Sequence, residues 1–277
     1  MTEPAGGAPT EAGDLRALLA LAEAIALAAG DTAAHYRAAR GVSVMATKSS
    51  PTDVVTAADT AVEAQIRAAV AQARPDDAVI GEEGDDAGGT SGLRWVVDPI
   101  DGTVNYLYGH ARYAVSIGVE DTDGGLVAVV HAPATGETWT AARGLGAWLD
   151  GSPITTSDCD ALGDALVATG FGYRADRRAR QAAVLADVLP RVRDIRRAGA
   201  ASLDLCDVAC GRLDGYYEQG LQPWDLAAGR LIVTEAGGVV TGLRGRAPSD
   251  AVVVAAGARL HPALAELLTS LDADRPS

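Results

Sequence analysis

The chain has 277 residues, 48% of them hydrophobic, which suits one large domain or two intimately packed ones around a substantial core. Its formal net charge of −14 speaks against nucleic acid and against an acidic membrane surface as partners. Three cysteines are too few for a disulfide scaffold and suit a reducing, cytoplasmic setting. Cys206 and Cys210 stand four apart with no CxxC pair or histidine partner, so they read as small buried thiols rather than zinc ligands.

Residues 1–13 are polar, small and glycine-bearing, and are expected to form a disordered tail without leader character. Leu15, Leu18, Leu19, Ala22, Ile25, Ala26 and Ala29 then recur at helical spacing behind the N-cap candidate Asp14. The pattern predicts an amphipathic packing helix that can run past Gly30 to Arg40. Arg16 and Glu23 make the 15–29 stretch too short and too charged to span a bilayer.

Residues 48–53 have loop chemistry. Thr56 opens a second helix to about Ala73, with Val62, Ile66, Ala69 and Val70 on one face. Asp59 falls in its first turn. It either complements the helix dipole or serves a site, and position alone does not choose. Residues 78–80 form a short buried strand that runs into Gly81-Glu82-Glu83-Gly84, followed by a polar loop over 85–92.

Residues 95–105, WVVDPIDGTVN, carry the densest chemistry. An apolar run reads as a buried strand that ends at Asp98-Pro99, because proline cannot donate to a sheet ladder. Asp98 and Asp101, with the carbonyl of Ile100 between them, sit around a tight turn. Like charges held this close need a cation or a proton among them. Hard oxygen ligands suit magnesium, which often shares a substrate phosphate. Gly102-Thr103 then opens a helix, whose free N–H groups attract an anion. Metal ligands beside an anion site are what phosphate-ester hydrolysis needs. The same letters also make an ordinary surface turn.

From Tyr113 the period becomes two. Residues 113–119, 126–131, 137–140 and 146–149 form an antiparallel meander. Asp150-Gly151-Ser152-Pro153 is a strong turn, placed as the boundary between an N-terminal α+β metal-binding domain (14–150) and a C-terminal α/β domain (151–277). The second half reads as strands at 165–169, 215–218 and 251–256 and helices at 176–189, 200–210, 224–236 and 261–271. That is a small sheet covered by helices. His110 and His131 are lone histidines, read as packing or surface residues.

With these segments in place the chain resembles the inositol monophosphatase family over nearly its whole length. Four blocks carry the likeness: 48–59 (KSSPTDVVTAAD), Gly81-Glu82-Glu83, 98–105 (DPIDGTVN) and 223–238 (PWDLAAGRLIVTEAGG). The resemblance implies a layered αβαβα sandwich, Mg2+ as cofactor and a homodimer. It implies that Glu82, Asp98 and the Ile100 carbonyl hold one magnesium, and Asp98, Asp101 and Asp225 a second, with a weaker third near Glu82 in some members. Thr103 with Asp59 would position and activate the attacking water. The Gly102 and Thr103 backbone would hold phosphate, and Arg196, Gly199, Ala200, Ala201, Glu218 and Asp225 would surround the sugar alcohol. Lys48 matches a lysine near the metal loop.

Tyr106, Ala111 and Ala200 depart from the family pattern; Ala200 removes a hydroxyl from the substrate loop. The implied activity is Mg-dependent hydrolysis of an inositol monophosphate. The alternatives are histidinol phosphate or another small ester of the same fold, and a non-catalytic partner of the transcription machinery.

Overall fold

The computed structural model describes residues 11–40, 44–47, 54–84 and 86–275. Lys48 and most of the expected tail lie outside the described residues.

The first helix is continuous, α1 (Ala12–Arg40), and α2 spans Ala57–Ala73. Two short strands, β1 (Val44–Thr47) and β2 (Val54–Thr56), pair antiparallel between them. The central sheet has seven strands in sequence order: β3 (Ala78–Gly81), β4 (Arg94–Asp101), β5 (Ala114–Asp121), β6 (Gly124–Ala132), β7 (Glu137–Ala142), β8 (Gly146–Leu149) and β9 (Ser152–Pro153). Only β3 and β4 pair in parallel; the rest is the expected meander. The turn at Asp150-Gly151 joins β8 to β9, so this sheet runs just past the expected boundary. A short helix, α3 (Thr103–Tyr108), follows β4.

The second sheet has order β11-β10-β12-β14-β13. Its strands are β10 (Leu166–Thr169), β11 (Asp194–Arg196), β12 (Gly215–Glu218), β13 (Gly238–Thr241) and β14 (Val253–Gly257). Its helices are α4 (Ala175–Val188), α5 (Ala201–Ala209), α6 (Pro223–Glu235) and α7 (His261–Ser270). β11 and β13 have no counterpart among the predicted elements, because three or four residues cannot display a period.

The layers run α1/α2, seven-stranded sheet, α5/α6, five-stranded sheet, α4/α7. Three apolar clusters fill the spaces between them. By length and composition α1 could cross a membrane. Instead Leu15, Leu18, Ala22, Ile25, Ala26, Ala29 and Ala33 are buried, and the helix packs on β6 and α2. Every residue of α5 is buried, since it lies between two sheets. Tyr106 donates its hydroxyl to Ala33 O at 2.7 Å and ties α3 to α1.

One expectation is corrected. Pro99 does not end its strand; pairing with β5 continues to Asp101. Asp98 faces Ser116 and Asp101 faces Ala114, so three steps on β4 match two on β5. Proline, lacking an N–H, is tolerated in such a bulge.

Candidate active site

The bulge creates the site. In a regular strand residues three apart point to opposite faces. The extra residue between Asp98 and Asp101 brings both side chains to one side. Asp225 joins them from the first turn of α6, and the three offer carboxylate oxygens within 4.8 Å of one another. Asp98 is 1% exposed, and its pKa lies well above the usual carboxylate range. Burial is the main cause, and the charges of Glu82, Asp101 and Asp225 add to it. Burial and the Asp101 charge raise Asp225 in the same way. Such a cluster takes up either protons or a cation.

Glu82 follows β3 and lines the same cleft. Its loop is pinned from α2. Glu63, 2% exposed, accepts the Glu83 N–H at 2.7 Å and pairs with Arg67 Nε at 2.7 Å. Arg67 in turn donates to Gly84 O at 3.3 Å.

Asp101 also ends another element. The N–H of Ala201 donates to its Oδ1 at 3.2 Å; the N–H and hydroxyl of Ser202 donate to Oδ2 at 2.7 and 2.5 Å. Ala200 occupies the N-cap of α5 without a side-chain cap, so an aspartate from the other sheet satisfies these orphan donors. An ionised carboxylate has about four lone-pair sites, so three donors leave Asp101 little more than one for a cation.

Asp59 caps its helix with one oxygen and meets Thr103 with the other. The N–H and hydroxyl of Thr56 donate to its Oδ2 at 2.9 and 2.5 Å, closing a capping box on α2. Its Oδ1 accepts the Thr103 hydroxyl at 3.2 Å, which also reaches Ile100 O at 3.1 Å. Burial raises the Asp59 pKa against these hydrogen bonds. Gly102 precedes Thr103 with φ 88°, and a Cβ there would lie 2.9 Å from Arg112 O. Asn105 Nδ2 donates to Arg112 O at 2.7 Å and Ala198 O at 2.8 Å, stitching α3 to the loop before α5. Arg112 holds that helix through Asp204 at 3.0 Å and Asp207 at 2.8 Å.

The carboxylates open onto a cleft of about 550 Å³, also lined by Gly102, Thr103, Gly199, Ala201 and Glu218. Burial pushes Glu218 up to about 7, while Tyr216 OH donates to it at 2.7 Å.

The profile described as "Inositol monophosphatase family" matches residues 14–273. The chain belongs to the inositol monophosphatase family. It is 46% identical over 263 residues to an inositol-1-monophosphatase of Mycobacterium bovis, covering 90% of each chain. It is 40% identical over 204 residues to the Nus factor SuhB of Escherichia coli, covering 73% of this chain and 76% of that one. Among solved structures, extragenic suppressor protein SuhB of Bartonella henselae superposes with TM-score 0.85 at 34% identity, covering 91% of this chain and 98% of that one. Mycobacterium tuberculosis SuhB gives 0.79 at 40%, covering 94% and 98%. The layered sandwich is therefore the fold of the inositol monophosphatases.

Within that fold the structure gathers Glu82, Asp98, Ile100, Asp101, Gly102, Thr103, Gly199, Ala201, Glu218 and Asp225 around one cleft, with Asp59 behind Thr103. Two expected residues fall elsewhere. Arg196 is exposed on β11 and paired with Asp194 at 2.6 Å; Arg197 lines the cleft instead. Neighbouring side chains on an extended segment point to opposite sides, so a one-residue error exchanges them. Ala200 is 1% exposed and packs toward Gly102 rather than lining the cleft. Ser202, Asn105 and Arg112 escaped the sequence reading because their partners lie on other elements. His131 is buried and shares a hydrogen bond with Thr138 Oγ1 at 2.9 Å, a packing role as expected.

Proposed function

We propose that this protein is a magnesium-dependent phosphomonoesterase that cleaves inositol monophosphate to inositol and phosphate. The convergence of Asp98, Asp101 and Asp225 within 4.8 Å carries the reading. The donors fit magnesium: they are hard, anionic oxygens, and their mutual repulsion calls for a cation. Glu82, Asp98 and the Ile100 carbonyl would hold one ion, and Asp98, Asp101 and Asp225 a second. Magnesium bound there supplies an acidified water and neutralises charge on the leaving oxygen.

The chain's own groups do the rest. Thr103 Oγ1 orients the attacking water and takes its proton while passing its own to Asp59 Oδ1. The raised pKa of Asp59 makes it a better acceptor for that proton. Backbone N–H groups at Gly102 and Thr103 hold phosphate oxygens. Glu218 and Asp225 accept hydrogen bonds from ring hydroxyls.

Phosphate release from inositol 1-phosphate and histidinol phosphate, with magnesium and with chelator, tests the proposal. We expect release only with magnesium and a higher kcat/KM for inositol 1-phosphate. Release in chelator would overturn the metal reading, and preference for histidinol phosphate the substrate. The proposal includes a cytoplasmic homodimer, which sedimentation equilibrium checks. A second reading, a protein partner in the transcription machinery, is favoured by the Nus factor SuhB relative. Rescue of a deletion strain by an inactive Asp98→Asn variant would establish that role apart from catalysis.

A further inference from the structure

Of the groups proposed to face magnesium, Glu82 alone stands outside regular structure. Asp98, Asp101 and the Ile100 carbonyl belong to β4, and Asp225 to α6. The pairing of β3 with β4 runs to Gly81 opposite Val97, which sets Glu82 one step further, beside Asp98. The ladder thus stops just short of Glu82.

What holds this loop comes from α2. Asp59, Glu63 and Arg67 recur every fourth residue, so they share one face of that helix. Asp59 and Glu63 are buried. A carboxylate buried in a helix interior is unfavourable unless it is paired and hydrogen-bonded. Each Glu63 oxygen has its own partner: Oε1 accepts from Arg67 Nε and Oε2 from the Glu83 N–H, both at 2.7 Å. Arg67 uses its other two nitrogens on the loop backbone, Nη1 on Val79 O at 3.4 Å and Nη2 on Gly84 O at 3.3 Å. The pair therefore grips the chain before Glu82, directly after it, and one residue further on. Contact is close: a Cβ at Gly81 would lie 2.6 Å from the Glu63 carboxylate, and one at Gly84 2.8 Å from it. The two glycines flanking Glu82-Glu83 let the backbone rest on this ion pair.

We propose that Glu63 and Arg67 are positioning residues for Glu82, which set how tightly the protein holds the magnesium on the Glu82 side and leave the ion on Asp101 and Asp225 alone. This role rests on the proposed magnesium site and assigns the affinities of its two halves to different supports. It also makes one face of α2 the mount for both Asp59 and the Glu82 loop.

Calorimetric titration of the full chain with magnesium, beside phosphate release from inositol 1-phosphate, tests it. Glu63→Gln offers one acceptor where two are used, so it gives up either Arg67 or the Glu83 N–H. One of the two bound ions should weaken by about tenfold or more, the range for a support behind a metal ligand, and the other should stay within about twofold. The magnesium concentration for half-maximal turnover should rise by the same factor, while kcat at saturating magnesium stays within about threefold, because the missing contact lies outside the reacting groups. Arg67→Ala, at a partly exposed side chain, should act alike, and Arg67→Lys, which keeps the charge but not the fork, should fall between it and wild type. Added to Glu82→Gln, Glu63→Gln should change the remaining affinity by less than about twofold, since its route to the metal is gone. Arg74→Ala breaks a similar pair at the other end of α2, with Asp77 at 2.9 Å; it should lower the melting temperature and leave both ions in place.

Unchanged magnesium affinity in Glu63→Gln and Arg67→Ala overturns the assignment while the phosphatase reading stands. So does an equal weakening in Arg74→Ala, or a full further loss on top of Glu82→Gln. Glu63-dependent magnesium binding in a protein that hydrolyses no inositol phosphate would retain the assignment and sink the phosphatase reading.

Discussion

Two helix starts in this molecule look alike and face different surroundings. Asp59 and Asp225 both stand in the first turn, each accepting the backbone N–H three residues before it, Thr56 at 2.9 Å and Gln222 at 2.7 Å. Both also complement a helix dipole. The difference lies at the second oxygen. Asp59 Oδ1 meets the Thr103 hydroxyl and is shut off from solvent. Asp225 faces the carboxylates of Asp98 and Asp101 and lines the cleft. The capping bond is thus a mounting, and under the proposed function what stands opposite the mounted carboxylate would decide between proton acceptor and cation ligand.

The largest expected effect breaks the cation side at its centre. Asp98→Asn should lower kcat at saturating magnesium by more than about 1,000-fold, the several kcal/mol a metal supplies. The same variant should raise the melting temperature of chelator-treated protein, because it removes one of the repelling charges. Retention of a tenth of wild-type turnover would rule out a bridging Asp98.

Next, the two helix starts should separate. Thr103→Ala and Asp59→Asn should each lower kcat by roughly 100-fold or more, with the double variant little worse than either, because groups acting on one proton are non-additive. Magnesium binding by calorimetry should persist in both and be lost in Asp225→Asn. Equal loss of magnesium binding in Asp59→Asn and Asp225→Asn would erase the distinction drawn here.

A pH series sharpens the same contrast. Asp98, Asp101 and Asp225 have folded pKa values above the ordinary 3.8. Over the range above 3.8 the folded state therefore holds more protons than the unfolded chain, so stability falls as pH rises. Melting temperature in chelator should drop between pH 4 and neutrality, and magnesium should flatten the curve. A pH dependence of metal-free stability left unchanged by Asp98→Asn would contradict the raised values, since buried His131 and His261, with lowered pKa values, contribute the opposite slope in both proteins.

Smaller effects test the supports. Ser202→Ala should weaken magnesium binding about tenfold through the loss of one bond behind Asp101, and Ser202→Thr should restore most of it. An unchanged magnesium Kd would leave Ser202 as a helix cap alone. The smallest effect is Glu218→Gln, expected to lower kcat/KM for inositol 1-phosphate by about tenfold or less in a solvent-open pocket. Glycerol 2-phosphate should change less; equal losses for the two esters would remove Glu218 from ring recognition.

The sequence by itself determined the local periods and the residue types of the chemistry. Helices α1, α2 and α6 and the meander are legible because each is encoded over neighbouring residues, whereas the turn expected at DPIDGT is a bulged strand. Only the tertiary structure decided which side chains meet. Asp98 and Asp101 share a face through a bulge, which is defined against β5 and not within β4. Asp101 caps a helix through Ala201 and Ser202, 100 and 101 positions away, and Asn105 holds Ala198 across 93 positions. The choice of Arg197 over Arg196 for the cleft depends on the parity of a three-residue strand, too short to declare its inward face. Spacing along the chain fixes direction over a turn or two; convergence of distant carboxylates and guanidiniums is set by how the layers pack.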